Sequence, residues 1–542
     1  MKSTRKLMQH LLFVLTGLAW SATVCAYDFQ AENADGVTIY NALDGNDVYV
    51  TSEGEMDTSE ENTAYALWCE DNATLYFVSS DQPFTIGEQY NGHLISSIWS
   101  GNDIISTGRD IPAWNESLRN KAAHIVFDLS FQSQTPTSNY AWFAFFEGLK
   151  DIQGLEHLNT SKTTDMQAMF VECSSLTTLN LSMLDTHSVE TMKAMFYGCT
   201  KLESLNLSGF NTKEVTNMSN MFDKCHSLTS LDLSSFVTSR VEIMQSMFYE
   251  CRSLQAINLA NFDTSNVTNM AWMFYGCSSL KSLDLSHFDT SKVTVMRTMF
   301  CGCESLENVN LSNWNTSNVE SLRSFFMDCK ALKELDLSHF STERNTSMTY
   351  MFSGCTNLET VNLTSFDMKN VEECDSVFDH CSSLRDIRFG VVDLEKAEGI
   401  RHMFCSCNSL QEINLCSFKT KNVKYMDGMF NACNELRTIY VGADWSIKSV
   451  LSSRSMFNNC YNLIGANGTT YDSRHTDAAY ARVDEEGVPG YFTTISSQGI
   501  SSIQLNQSID DNNWFTIGGS RLDNKPTRTG LYLHNGQKVI IK

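Results

Sequence analysis

Apolar and polar positions between residues 149 and 465 recur with a fixed period. Cys173, Cys199, Cys225 and their successors to Cys433 stand 26 residues apart, and Cys460 follows after 27. A phenylalanine precedes each by three residues, from Phe170 to Phe457, and a leucine follows by three, from Leu176 to Leu463. Within one period, Leu254 to Phe274, the run Leu254, Ile257, Leu259 ends in alternation and predicts a short strand with Ile257 and Leu259 inward. Phe262 closes a turn, and Asp263-Thr264-Ser265 offers side-chain oxygens for capping. Val267, Met270, Met273, Phe274 and Cys277 then fall on one face of a predicted short helix. Strand and helix repeated at this period predict an α/β leucine-rich-repeat solenoid of about 12 repeats with parallel strands, each unit burying its apolar face against its neighbours.

Substitutions respect the columns. Leu322, Ile400 and Cys374 take the first methionine position, and Trp314 takes a turn phenylalanine. From about residue 368 the pattern drifts: Met368 and Leu394 replace the threonine, and Phe389 a strand leucine. All five prolines (Pro83, Pro112, Pro136, Pro489, Pro526) lie outside residues 137–488, as parallel ladders and short helices require. The expected organisation is a signal peptide over 1–26, a β-rich N-terminal domain or cap over 27–144, the solenoid over 145–465, a C-terminal cap over 466–496 and a β-tail over 497–542.

Charge narrows the partners. The formal charge of −24 becomes −27 without residues 1–26, which carry Lys2, Arg5, Lys6 and no acid. This balance opposes nucleic acid and anionic membranes, which want clustered Lys and Arg. Those three cations, the apolar run Leu11–Trp20 and Val24-Cys25-Ala26 predict an export signal cleaved before Tyr27, with lipidation of Cys25 as an alternative. No other run approaches the ~18 apolar residues of a membrane span. Export makes 18 cysteines look like a disulfide framework, yet equivalent side chains in stacked coils keep ~4.8 Å, while a disulfide needs Cβ atoms ~3.5–4.5 Å apart. The ladder is read as buried thiols acting as small hydrophobes.

The outward strand positions form a polar column: Asn180, then Asn206, Asp232, Asn258, Asp284, Asn310, Asp336 and Asn362, beside small residues such as Ser208 and Ser234. Asp never follows Asp, which spares like charges a ~4.8 Å approach. The seven from Asn206 to Asn362 are the candidate binding residues for a protein, a sugar or a hard cation; the competing reading is a stack held by its amides. No His-Glu-x-x-His, Gly-x-Ser-x-Gly or phosphate loop is present, so no catalytic or metal residue and no cofactor is assigned. The aromatics Tyr65, Trp68, Tyr76, Trp99, Trp114 and Trp142 of the N-terminal region could stack on sugar or fill a core.

The repeat FDTSNVTNMAWMFYGCSSLKSLDLSHFDTSKVTVMRTMF closely resembles the BspA-like leucine-rich-repeat surface proteins of host-associated bacteria, as do HIVFDLSF (124–131), PTSNYAWF (136–143) and TTYDSRHTDAAYARVDEEGVPGYFTT (469–494). The resemblance covers roughly residues 27–494. It implies a secreted or surface-attached adhesin-like protein that binds host matrix protein or another cell, and it brings no catalytic residue. Leu531 to Ile541 predicts a β-hairpin around Asn535-Gly536 and looks like the tails of secreted proteins that use the type IX route. The expected protein is therefore a monomeric exported binding scaffold. A glycan-binding or structural surface-layer protein is the second reading, and an enzyme with its site in 27–144 the third.

Overall fold

The computed structural model describes residues 62–105, 108, 110–494 and four backbone strands between 514 and 541. The N-terminal unit opens with β1 (Thr63–Cys69) and β2 (Thr74–Ser80), followed by a small hairpin of β3 (Gln89–Tyr90) and β4 (His93–Leu94), and by β5 (Ser97–Ser100). Two short helices, α1 (Asn102–Ile105) and α2 (Ala113–Leu118), precede β6 (His124–Phe127) and β7 (Asp151–Gln153). These five longer strands form one sheet, β5-β1-β2-β6-β7. Pairing changes from antiparallel (β1 with β2 and β5) to parallel (β2 with β6, β6 with β7). The parallel half passes directly into the coils. Trp114, Trp142, Phe77, Phe127 and Phe131 are fully buried there, and Trp68 and Tyr76 nearly so, so these aromatics are core. Phe143 carries the packing on to Phe170, 5.7 Å away.

From Phe170 to Phe457 every phenylalanine stacks on its equivalent one coil on, with centroids 5.2–5.9 Å apart and planes within 14°. The methionine and leucine columns lie alongside in one continuous core running from Ala64 to Phe492. The solenoid and its parallel strands are as the period predicts. Short strands β8 (Thr178–Asn180) and β9 (Ser204–Asn206) pair in register, as do β10 (Ser282–Asp284) and β11 (Asn308–Asn310). Further on come β12 (Glu334–Asp336), β13 (Thr360–Asp367), β14 (Asp386–Asp393), β15 (Glu412–Leu415), β16 (Phe418–Lys419) and β17 (Thr438–Val441). Residues 230–232 and 256–258 carry no strand pairing, so this sheet is interrupted.

The expected short helices are not formed; among the described residues α-helix occurs only as α1 and α2. The segment instead steps through consecutive tight turns. In the coil of Trp272, the amides of Met270, Trp272, Phe274 and Gly276 donate to Val295, Arg297, Met299 and Cys301 of the next coil at 2.8–3.1 Å. The alternate amides of Met273, Tyr275 and Cys277 close turns onto the residue three back. Two positions per coil hold a left-handed backbone. Residues from Ala168 to Ser455 in the first column have φ of 51–60°, and the position before each cysteine is glycine at 198, 276, 302 and 354. A left-handed residue every fourth position ends a right-handed helix, and inter-coil bonding removes the donors a helix would use. The burial expected of this face survives because 3, 3, 1, 3 spacing suits stepped turns as well as a helix. Parallel bridges on this side run unbroken from Ser138 through Asn269 to Glu373.

Drift in sequence coincides with a change in structure. Where Met368 and Leu394 replace threonine, β13 and β14 lengthen to eight residues with a register shift between Leu363 and Asp367. A small apolar cavity sits beneath them, lined by Met348, Leu363, Met368, Phe389 and Met403. After the last coil comes β18 (Phe492–Thr494), which pairs parallel with β17. Phe492 meets Phe457 and Trp445 edge-on and covers the last coil. Beyond it lie β19 (Trp514–Thr516), β20 (Arg521–Leu522), β21 (Gly530–His534) and β22 (Gln537–Ile541), one antiparallel sheet. The expected hairpin is β21–β22, with His534 opposite Gln537; Asn535 and Gly536 themselves, like residues 1–26, lie outside the described residues.

Candidate interaction surfaces

The cysteine ladder is internal. Cys173 and each later ladder cysteine is buried, and each Sγ donates to the carbonyl of the phenylalanine 29 or 30 residues earlier, at 3.0–3.3 Å. All seventeen cysteines of the described region are free thiols. Burial pushes the ladder thiols well above their ordinary range; Cys303 reaches about 12. A thiol is therefore more than filler here: it bonds a carbonyl that the turn leaves with spare capacity.

Threonine makes the matching tie on the opposite corner. Thr238 Oγ1 donates to the Asp263 carbonyl at 2.9 Å and accepts the Asp263 amide at 2.8 Å, while itself only 1% exposed. Thr186, Thr212, Thr316 and Thr342 repeat both bonds. Asp263 Oδ1 accepts from the Ser265 amide at 3.0 Å. The expected caps thus exist, but they cap turns and join coils instead of starting helices.

On the strand face, the ladder oxygens turn inward. Oδ1 of Asn206, Asp232, Asn258, Asp284, Asn310, Asp336 and Asn362 accepts the amide two residues on, at 3.0–3.3 Å. Asp232 and Asn258 fall in the unpaired stretch, the other five in strands, and all but Asn362 are exposed. The Ser234 amide holds the Asp232 carboxyl below its usual range. Ser286 does the same for Asp284, with a further bond from Asn310 of the next coil. Each side chain is thereby fixed in orientation.

Other polar residues have structural partners. His287 and His339 bond the carbonyls of Leu259 and Leu311 at 2.8 Å and sit edge-on to Phe288 and Phe340. Among the described residues, no group of three or more His, Cys, Asp or Glu is arranged to hold a metal, and no helix is long and apolar enough to cross a membrane.

Sequence reasoning directed at the strand side missed the turn side, which carries two clusters. In the first, Asp223 is 2% exposed; one oxygen accepts the Asn220 amide at 2.7 Å and the other has no partner. Burial outweighs Asn220 and Lys224 and pushes its carboxyl up to about 8. Lys224 lies over the Tyr197 ring and donates to its hydroxyl at 2.7 Å. The second cluster is aromatic and cationic. Tyr249 and Tyr275 stack at 4.5 Å, Arg297 lies 4.7 Å over Trp272, and Arg323 lies 5.8 Å from the Tyr350 ring centre.

Comparison with known proteins places this architecture. A family model described as "Mycoplasma protein of unknown function, DUF285" matches residues 141–258, 244–361, 304–404 and 346–471. No curated protein matches. Among solved structures, a leucine-rich repeat protein from Bacteroides ovatus is similar at 16% identity, over 82% of this chain and 100% of that one, with a TM-score of 0.37. A leucine rich cell surface protein from Faecalibacterium prausnitzii is similar at 16% identity, over 76% and 94%, with a TM-score of 0.33. For a leucine-rich repeat protein from Eubacterium ventriosum the figures are 14%, 73%, 92% and 0.29. With its repeats matched from residue 141 to 471, more than half of its 542 residues, the chain belongs to the DUF285 family, in agreement with the BspA-like leucine-rich-repeat character of its sequence.

Proposed function

We propose that this protein is an exported, surface-exposed repeat scaffold that binds a protein on a host or neighbouring cell, an adhesin-like role. One observation carries the reading: a single uninterrupted core holds two long outward faces, while outward residues outside the ladders vary from coil to coil. A solenoid of this kind offers an extended binding surface whose specificity lies in its variable positions. Residues 1–26 act as the export signal, 27–144 and 466–496 close the two ends, and 497–542 is a sorting or anchoring tail. The polar strand face from Asn206 to Asn362 is the candidate surface taken from the sequence. A binding screen of the chain from Tyr27 to Lys542 against immobilised host matrix proteins, run beside a glycan array, tests the role. Saturable binding to a matrix protein is expected; a purely glycan response, or failure of both, refutes it.

A further inference from the structure

The two sides of the solenoid are joined unequally. On the turn side, bridges pass from coil to coil without a gap from Ser138 to Glu373. On the strand side, β8 pairs with β9 and β10 with β11. Among the described residues, no pairing joins β9 to residues 230–232, these to 256–258, or these to β10, so three successive interfaces are open. The bonds that start each strand stretch at the same place. The amides of Gln255 and Lys281 reach the Thr229 and Gln255 carbonyls at 3.3 and 3.4 Å, where those of Glu203, Glu307 and Glu359 reach theirs at 2.8–2.9 Å. Ring spacing widens in the same sense: 4.5 Å for Tyr249 and Tyr275 on the turn face, 5.5 Å for Phe248 and Phe274 in the core, and 6.4 Å for Phe210 and Phe236 beyond the strand. The coils fan apart toward the strand side.

Side chains account for the place. Sheets are held by cross-strand side-chain pairs, and the column Ser204, Ser230, Ala256 and Ser282 offers little contact and little strand preference. The paired strands β13 and β14 carry Thr360, Val361 and Ile387 instead. The open stretch is nevertheless bounded by firm ties. Thr212, Thr238 and Thr264 donate to the carbonyls of Val237, Asp263 and Asp289 at 2.9–3.0 Å. Asn261 Nδ2 spans to the Leu233 and Phe236 carbonyls at 3.1 and 2.8 Å. Widening between these ties breaks no inter-coil strand bond, so its free-energy cost is small beside that of opening the turn side.

We propose that the strand side between β9 and β10 is a seam that opens and closes while the turn side and the threonine corner stay bonded, so that the solenoid flexes there with its turn face on the inside of the bend. This goes beyond the scaffold reading above and does not depend on which partner is bound.

Hydrogen exchange of the chain from Tyr27 to Lys542, read by mass spectrometry, tests the seam without any variant. Peptides covering 229–233 and 255–259 should exchange at least about ten-fold faster than those covering 360–363 on the same side and 269–277 on the turn side. Equal or slower exchange overturns the proposal. Ser204→Val, Ser230→Val, Ala256→Val and Ser282→Val together supply the missing cross-strand contact and should slow exchange in the seam while leaving 269–277 unchanged. Flexing is read from nitroxide labels at Thr178→Cys and Ser312→Cys, which are exposed and lie on either side of the seam. Cys416→Ser removes the one cysteine of the described region that is not buried. The label-to-label distance distribution should be broad in the otherwise native chain and narrower with the four valines, in variants that circular dichroism shows to be folded. A distribution as narrow without the valines as with them overturns the proposal.

Discussion

Thr238→Val against Thr238→Ser asks whether coils are tied by hydroxyls or only by apolar packing. Valine matches threonine in shape, so it leaves no cavity but removes both bonds to Asp263, the donor at 2.9 Å and the acceptor at 2.8 Å. Each bond is worth about 1 kcal/mol net, and a peptide group left underbonded costs about 1–3 kcal/mol. Asp263 is exposed, so water recovers part of that, and a loss of about 2–3 kcal/mol is expected. Serine keeps both bonds and deletes one methyl, at about 1 kcal/mol. Urea unfolding of the three proteins, followed by circular dichroism, should rank wild type above Thr238→Ser above Thr238→Val. A valine variant as stable as the serine variant, or more stable, refutes the reasoning. Met368 and Leu394 are natural relatives of this change; the long strand pair β13–β14 takes over the joining of coils beside them.

Three further outcomes are expected. Asp223 keeps its proton in the folded chain until about pH 8, while an unfolded aspartate releases it near ~3.9. The native state therefore loses stability as pH rises from about 4 to about 8, by at most about 1.4 kcal/mol per pH unit from this group; Asp223→Asn should flatten that part of the midpoint-versus-pH curve, and parallel curves would show that Asp223 does not titrate this way. On the strand face, Asp232→Asn, Asp284→Asn and Asp336→Asn together retain every Oδ1 and should leave the unfolding midpoint nearly unchanged, whereas the three alanine changes lose the amide bonds and about 0.5–1 kcal/mol each; loss of folding in the asparagine triple would make the charge itself structural. Cys277→Ala removes a buried sulfur and its bond to Phe248 and should cost about 2 kcal/mol, read by the same midpoint in the presence of reductant.

Much of this fold was legible because stacking forces like residues into columns. The phenylalanine, methionine, cysteine and leucine columns are the buried ones, and the drift after residue 368 marks a real change of strand length. The helix was misread for a definite reason. Met270, Met273, Phe274 and Cys277 have helical spacing, but the left-handed backbones that break the helix sit at residues such as Trp272, Thr298 and Tyr350, types that give no local warning; the glycines at 198, 276, 302, 354 and 428 hint at them. The strand ladder was found by its periodicity, while the use of its Oδ1 atoms depends on backbone geometry that periodicity does not encode. The turn-face cluster lies in the segment whose spacing reads as helix, and a helix would not set Tyr249 and Tyr275 face to face across adjacent coils; the absence of Asp and Glu from residues 243–249, 269–275, 295–301, 321–327 and 347–353 is visible in the sequence.

The central claim is that the chain carries a ladder of twelve buried, unpaired thiols that bond the backbone of the neighbouring coil. Alkylation of the native protein with iodoacetamide, without reductant, followed by denaturation, a second isotopic label and peptide mass spectrometry measures this directly. The account predicts that the twelve ladder cysteines, from Cys173 at 26- and 27-residue steps to Cys460, take only the second label, because burial and raised thiol pKa values protect them in the native state. Recovery of any two of them as a disulfide-linked pair, or native labelling of the ladder, would contradict it.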